Sequence, residues 1–206
     1  MALVALAALA LLSGCAPERP ATPPLARGEV RVPGLFAPAT VVTDRFGIPH
    51  VRAASLHDLY LAWGYVTGRD RLWQLALSRA RGEGRSHLWL GNAALAGDGG
   101  AQLFRLRERA EAIWRRDRAD TAMRAAVEAY AAGINAAIAE RFGPERPARR
   151  DEFDRLGVRP TPWRPADCVL LLLGLGVTLD LDAPQVSESE AIAQHGAAWL
   201  ERRMRF

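Results

Sequence analysis

LHDLYLAWGYVTGRDRLWQLALSRARGEGRSHLWLG, residues Leu56 to Gly91, combines helical patterning with glycines and charges that a plain helix does not need. Ser55 can cap the first turn, with Asp58 three positions on in a near capping-box arrangement, and Leu59, Tyr60, Trp63 and Val66 recur at helical spacing. Gly64 and Gly68 interrupt that face. Each costs about 1 kcal/mol relative to Ala inside a helix, so either a neighbour approaches the backbone closely or the helix breaks. The reading is a break near Gly68, after which Asp70 opens a second helix carrying Leu72, Trp73, Leu75, Ala76 and Leu77. Arg79 and Arg81 fall in its last turn, where cations suit the helix dipole. The corner between the two helices reads as structural, so that Asp70→Ala would damage folding more than substrate choice.

Upstream, Thr40 to Thr43 and Ile48 to Arg52 are β-rich runs around Asp44-Arg45-Phe46-Gly47, whose Asp and Gly suit a type I turn. A hairpin follows, with Pro49 placing the second strand at an edge or bulge because it cannot donate to a ladder. Downstream, Asn92 to Gly100 reads as a glycine-rich loop and Leu103 to Arg116 as a helix with Leu106, Ala110, Ile113 and Trp114 on one side. A better helix starts at Asp120, with Met123, Val127, Tyr130, Ile134 and Ile138 as its apolar stripe and Gly133 where a neighbour can pack closely. Phe142-Gly143-Pro144 stops it. The Pro- and Arg-rich connection to Pro162 reads as a surface excursion or part of an interface. Pro165 and Asp167 then open a helix reaching about Leu179 that is apolar on every side, too short to span a membrane and suited to burial in a larger protein.

Half of the 206 residues are hydrophobic, which allows a real core and excludes a disordered chain. All 27 basic residues are Arg, and they alternate with acids through RLRERAEAIWRRDRAD. That is a mixed-sign helix face, so nucleic acid is not an expected partner. His50, His57, His87 and His195 lack metal-ligand spacing, and Ser78, Ser86, Ser187 and Ser189 lack a GxSxG context. GEGRSH and LGLGVT do not follow strands as phosphate loops do. Cys168, among apolar neighbours, reads as a buried inert thiol. No catalytic residue is therefore assigned within this chain, and no organic cofactor.

Four stretches together resemble one family. Gly64-Tyr65-Val66 with Arg69-Asp70-Arg71-Leu72-Trp73-Gln74-Leu75 and Gly84-Arg85 to Leu90-Gly91; VVTDRFGIPHVRA; AYAAGINA around Gly133; and the pattern FxxLGVxPxxWxPxD from Phe153 to Asp167 are similar to the α-chain of penicillin acylases. Asp98 and Arg105 match it loosely. These are N-terminal-nucleophile hydrolases, which cut one precursor into α-chain, spacer and β-chain. The resemblance implies a mainly α chain with a short β-hairpin, the α-chain portion of a four-layer α/β/β/α enzyme. It explains the missing nucleophile, which would be the N-terminal Ser of the β-chain partner, with its own α-amine as base. The implied reaction is hydrolysis of a small linear acyl amide, such as a β-lactam side chain or an acyl-homoserine lactone.

From residues 28–206, the resemblance further implies one wall of the acyl pocket near Gly176, Leu179 and Asp180. Where penicillin G acylases carry an Arg-Phe pair this chain has Leu179-Asp180, which puts phenylacetyl specificity in doubt. It also implies one carboxylate ligand for a structural calcium, Glu190 or else Glu188, although Ser187 to Glu190 equally suits a helix N-terminus. The alternative is a non-catalytic periplasmic lipoprotein, a helical binding or scaffold module.

Residues 2–12, ALVALAALALL, are apolar but shorter than the roughly 20 residues that span a bilayer. With Leu12-Ser13-Gly14-Cys15 they resemble a bacterial lipoprotein signal, residues 1–15, in which Cys15 is the lipidated residue. Four prolines make residues 16–27 an extended tether. The implied location is periplasmic, anchored to the membrane by lipid.

Overall fold

The computed structural model describes residues 28–116, 120–143 and 151–181, apart from the side chains of Asp180 and Leu181. Cys15, the signal and tether of residues 1–27, and the calcium candidates Glu188 and Glu190 lie outside the described residues.

Strands β1 (Thr40–Thr43) and β2 (Pro49–Arg52) form an antiparallel pair in which Thr40 faces Arg52 and Thr43 faces Pro49. The turn closes as its residues dictate. The Asp44 carboxylate accepts the Phe46 and Ile48 amides at 2.9 and 3.0 Å, and Gly47 takes the positive φ of 80° that the turn needs.

Helix α1 runs from Leu56 to Gly82 with one kink inside it. Ser55 caps it, its hydroxyl accepting the Asp58 amide and donating to the Asp58 carboxylate. Asp58 is buried and also accepts the Phe36 amide at 2.8 Å, which ties the segment before the hairpin to the helix start. The expected break near Gly68 is not at that glycine, which stays helical, but comes three residues later. A kink comes at Arg71 (φ −129°, ψ 20°), and Asp70 sits exposed within the helix, neither a cap nor a buried corner.

Gly64 and Gly68 are close-approach glycines. Helix α1 packs mainly against a later helix (Thr121–Phe142), and a Cβ on Gly64 would lie 2.1 Å from the Tyr130 carbonyl oxygen of that helix. The relation is mutual, since a Cβ on Gly133 would lie 2.0 Å from the Leu61 carbonyl oxygen. Two main chains meet there with no side chain between them.

The second half of the quoted stretch turns back through α2 (His87–Leu90) and a 3-10 turn at Asn92–Ala94. Leu95–Leu103 is helix α3, where a glycine-rich loop was expected, and α4 begins at Leu106 because Arg105 takes φ 51°. Leu106 and Ala110 are buried as expected, whereas Ile113 is exposed. Helix α5 (Thr121–Phe142) is capped by the Asp120 carboxylate on the Met123 amide. Its buried face is mostly small, Ala126, Ala129, Ala131, Gly133, Ile134 and Ala137, and Met123 of the expected stripe is exposed. The close approach to α1 sets this preference for small residues.

The described part of the Pro- and Arg-rich connection is not a mere surface excursion. Helix α6 (Glu152–Leu156) plugs Phe153 into the core with Leu72, Ala76, Ala131, Ile134 and Trp163. Asn135 then clamps Trp163, accepting its amide at 2.6 Å and donating to its carbonyl at 2.8 Å. Helix α7 (Pro165–Leu181) crosses α1 and α4, with Leu170 packed against Ala101, Leu106 and Ala110.

Candidate functional site

The first turn of α7 is fixed by Asp167, which is fully buried. Its carboxylate accepts the Arg164 amide at 2.9 Å, Arg79 of α1 at 3.2 Å and Arg107 of α4 at 2.7 Å. Arg79, 5% exposed, also donates to the carbonyls of Thr161 and Pro162 at 3.1 Å, and Arg107 reaches Glu83 at 2.6 Å. Three helices are thereby held to one carboxylate, so the direction in which α7 leaves the body is set by charge-assisted bonds.

Beyond that anchor, α7 is incompletely covered. Leu172, Leu175 and Leu179 are 69%, 54% and 63% exposed, a large apolar side for water to face. Beside it lies an apolar groove of about 1240 Å³. Leu171, Leu172 and Leu175 line one wall, and Tyr60, Trp63 and Tyr130 another. Trp63 is half exposed and meets the Tyr130 ring edge-on at 5.5 Å. Sequence reading assigned these aromatics to core faces.

Of the expected pocket residues, Gly176 and Leu179 are exposed on the last turns of α7, and Asp180 belongs to the same helix. The groove takes its lining from their neighbours Val177 and Thr178.

One rim of the groove is latched by Asp98 of α3, which is buried. Its carboxylate accepts the Ser86 amide and hydroxyl at 3.0 and 2.6 Å, and the His87 amide and ring Nδ1, both at 2.7 Å. Burial pushes this carboxyl up, but the hydrogen bonds from Ser86 and His87 outweigh it and hold the acid at about 2, against an ordinary 3.8. The bonded form is the carboxylate, so its stabilisation is complete above about pH 5 and is lost as pH falls through 4 toward 2. The thermal midpoint of the native protein should therefore fall more steeply over that interval than that of Asp98→Asn, as a melting series against pH would record.

This latch is no catalytic triad. Ser86 and His87 each bind the carboxylate and not one another, so no base is aimed at the hydroxyl. Cys168 takes a bond from the Trp163 indole at 3.4 Å, and burial pushes its thiol up, away from thiolate. Of the other histidines, His50 meets Asp44 at 3.1 Å and His57 meets Asp58 at 3.3 Å. Among the described residues no group of three or more His, Cys, Asp or Glu is suited to a metal ion, and no helix is long and apolar enough to cross a membrane. What these residues can do chemically is bind and wall in an apolar group.

Comparison with known proteins places this geometry. The family described as Penicillin amidase matches residues 38–204. The penicillin acylase 2 proenzyme of Pseudomonas sp. (strain SE83) is 37% identical over 161 residues, covering 77% of this chain and 20% of that protein. The acyl-homoserine lactone acylase QuiP of Pseudomonas aeruginosa is 28% identical over 181 residues, covering 86% of this chain and 21% of the relative. The chain thus spans about a fifth of the length of these curated relatives. In fold it is similar to a chain of the thermostable penicillin G acylase from Alcaligenes faecalis, with a TM-score of 0.57 at 23% identity over 78% of this chain and 86% of that one.

Proposed function

Because this chain belongs to the penicillin amidase family, we propose that it is the α-chain portion of a self-processing amidohydrolase that cleaves a linear acyl amide. The observation that carries the proposal is the uncovered apolar side of α7 and the aromatic groove beside it, in a chain a fifth as long as its relatives. Such a surface fits a partner segment that completes the enzyme, here a β-chain from the same precursor. The nucleophile belongs to that β-chain as an N-terminal Ser whose own amine takes the hydroxyl proton. It adds to the amide carbonyl, donors preorganised around the oxyanion stabilise it, the amine leaves with a proton, and water releases the acyl group. This chain supplies an apolar wall for the acyl group, with the end of α7 around Gly176, Leu179 and Asp180 nearest the reacting end. The acyl or amine identity follows the two named relatives in kind, a β-lactam side chain or an acyl-homoserine lactone.

Three further parts belong to the proposal. Glu190 or Glu188 supplies a carboxylate to a structural calcium, a hard cation that takes oxygen donors of that kind. Residues 1–15 act as a lipoprotein signal and 16–27 as the tether. Lipidation of Cys15 then holds the enzyme at the periplasmic face of a membrane.

The test is to express the full-length gene product and residues 28–206 side by side. The full product is expected to be cleaved internally and to release the acyl acid from a panel of acyl amides. Residues 28–206 alone are expected to be inactive and poorly soluble, because among the described residues nothing covers Leu172, Leu175 and Leu179. A monodisperse, cooperatively melting 28–206 monomer together with an inert full product would instead establish a stand-alone binding or scaffold module.

A further inference from the structure

The apolar groove beside α7 holds a single charge. Arg81, in the last turn of α1, is the one charged residue among the described residues that line it. The carboxylates on the elements around the groove are committed elsewhere. Glu83 takes Arg107 at 2.6 Å, Asp167 takes Arg79 and Arg107, and Asp98 takes Ser86 and His87. Arg79 of the same turn is thus matched, whereas among the described residues no ion pair or side-chain hydrogen bond reaches the Arg81 guanidinium. The helix dipole suits a cation in that turn but does not call for one on an apolar wall. Ser78, one turn earlier on the same face of α1, adds a hydroxyl to the lining.

Arg81 also stands well back from the end of α7. Its neighbour Gly82 packs on Leu170, where an added Cβ would lie 2.9 Å from the leucine Cγ. From Leu170 to Thr178, which lines the groove, α7 advances about 12 Å. The wall between is apolar, with Leu171 and Leu175 on α7 and Tyr130 on α5.

We infer that the groove selects acyl groups that end in an anion, the apolar chain lying along α7 and its terminal carboxylate meeting Arg81 and Ser78. The inference rests on the proposed function, which puts the reacting carbonyl near the end of α7. It narrows the acyl amides proposed there to those with a charge remote from the cleaved bond. A guanidinium and a carboxylate make two parallel charge-assisted bonds, and a chain filling the groove displaces the water that would weaken them. A chain with a neutral end would instead leave the cation unpaired in a filled groove.

The test uses the assembled full-length product and pairs of acyl amides of equal chain length, one ending in a carboxylate and the other in a primary carboxamide. kcat/KM is expected to favour the acid at least about tenfold, mainly through KM, and the advantage should peak at an intermediate chain length and shrink with added salt. Arg81→Gln should reduce the ratio to about twofold or less, and Arg81→Glu should turn the preference toward an amine-terminated chain. An active product with no preference for the acid, or a preference that Arg81→Gln leaves intact, overturns the inference and leaves the proposed function standing. Equal losses on both chain ends in Arg81→Gln give Arg81 a structural role and overturn it too. Free straight-chain acids that inhibit the wild type but not Arg81→Gln, with no preference among the amides, assign the groove to the released acid and likewise overturn it. A wild-type product that is uncleaved and inert on every amide overturns the proposed function together with the inference.

Discussion

Gly133→Ala is expected to destabilise the protein by about 3 kcal/mol or more, at or beyond the upper end of what overpacking usually costs. The added carbon would stand 2.0 Å from the Leu61 carbonyl oxygen and 2.6 Å from the Tyr65 nitrogen, both main-chain atoms of α1. Neither can turn away as a side chain would. The strain can be relieved by moving α1 and α5 apart, and that would loosen the packing of Ile134 and Leu72. For a chain of this size the midpoint of thermal unfolding should fall by about 6–12 °C or more. Gly99→Ala in α3 is the matched control. Nothing lies within 4 Å of the carbon it adds, so it should raise stability by up to about 1 kcal/mol. If the two variants melted alike, the close approach of α1 and α5 would be refuted.

Asp167→Ala should be comparably severe, costing about 3–5 kcal/mol because it strands the buried Arg79 cation, for which Asp167 is the carboxylate partner among the described residues. Arg79 keeps the carbonyls of Thr161 and Pro162, and Arg107 keeps Glu83, but both lose their shared charge partner. The loss should be smallest in the company of a second change. Arg79→Met combined with Asp167→Leu is expected to cost less than the sum of the two single exchanges, since a buried pair replaced by apolar groups leaves less charge uncompensated. Chemical denaturation of the four proteins gives the cycle. A single Asp167→Ala cost below about 1 kcal/mol would mean that the bridge is incidental.

Those two sites show where sequence reading reached and where it stopped. Local chemistry was legible. Ser55, Asp120 and the Asp44 turn sit where their side chains can reach nearby amides, and each was read correctly because the partner lies a few residues away. Glycines were harder. A glycine in a helical pattern signals either a break or a close approach, and the deciding neighbour of Gly64 is Tyr130, far along the chain. At Gly97, Gly99 and Gly100 the opposite error arose, a loop being read where α3 forms with Asp98 locked onto Ser86 and His87. The Arg79–Asp167 bridge spans 88 positions, so Arg79 showed locally as a cation at a helix end. The FxxLGVxPxxWxPxD pattern shows a third case. It was quoted as family resemblance, and the structure gives it a physical meaning, since Phe153, Trp163 and Asp167 are the buried pegs that seat α6 and α7. The apolar helix was read from its composition, but the groove beside it was not, because its walls come from helices that no single periodicity relates.

The uncovered side of α7 also carries a consequence in time. Polypeptides are made from the N-terminus at about 5–20 residues per second, and on the proposed reading this chain is the first part to emerge. Judged by the 20% of the Pseudomonas penicillin acylase 2 proenzyme that it matches, about 600 residues would follow it, which takes about 30 to 120 s. Until the segment that covers them is made, Leu172, Leu175 and Leu179 face solvent. A precursor built in this order is expected to depend on chaperones during its own synthesis, and its yield in the cell should follow holdase supply more closely than it follows the stability of the finished enzyme.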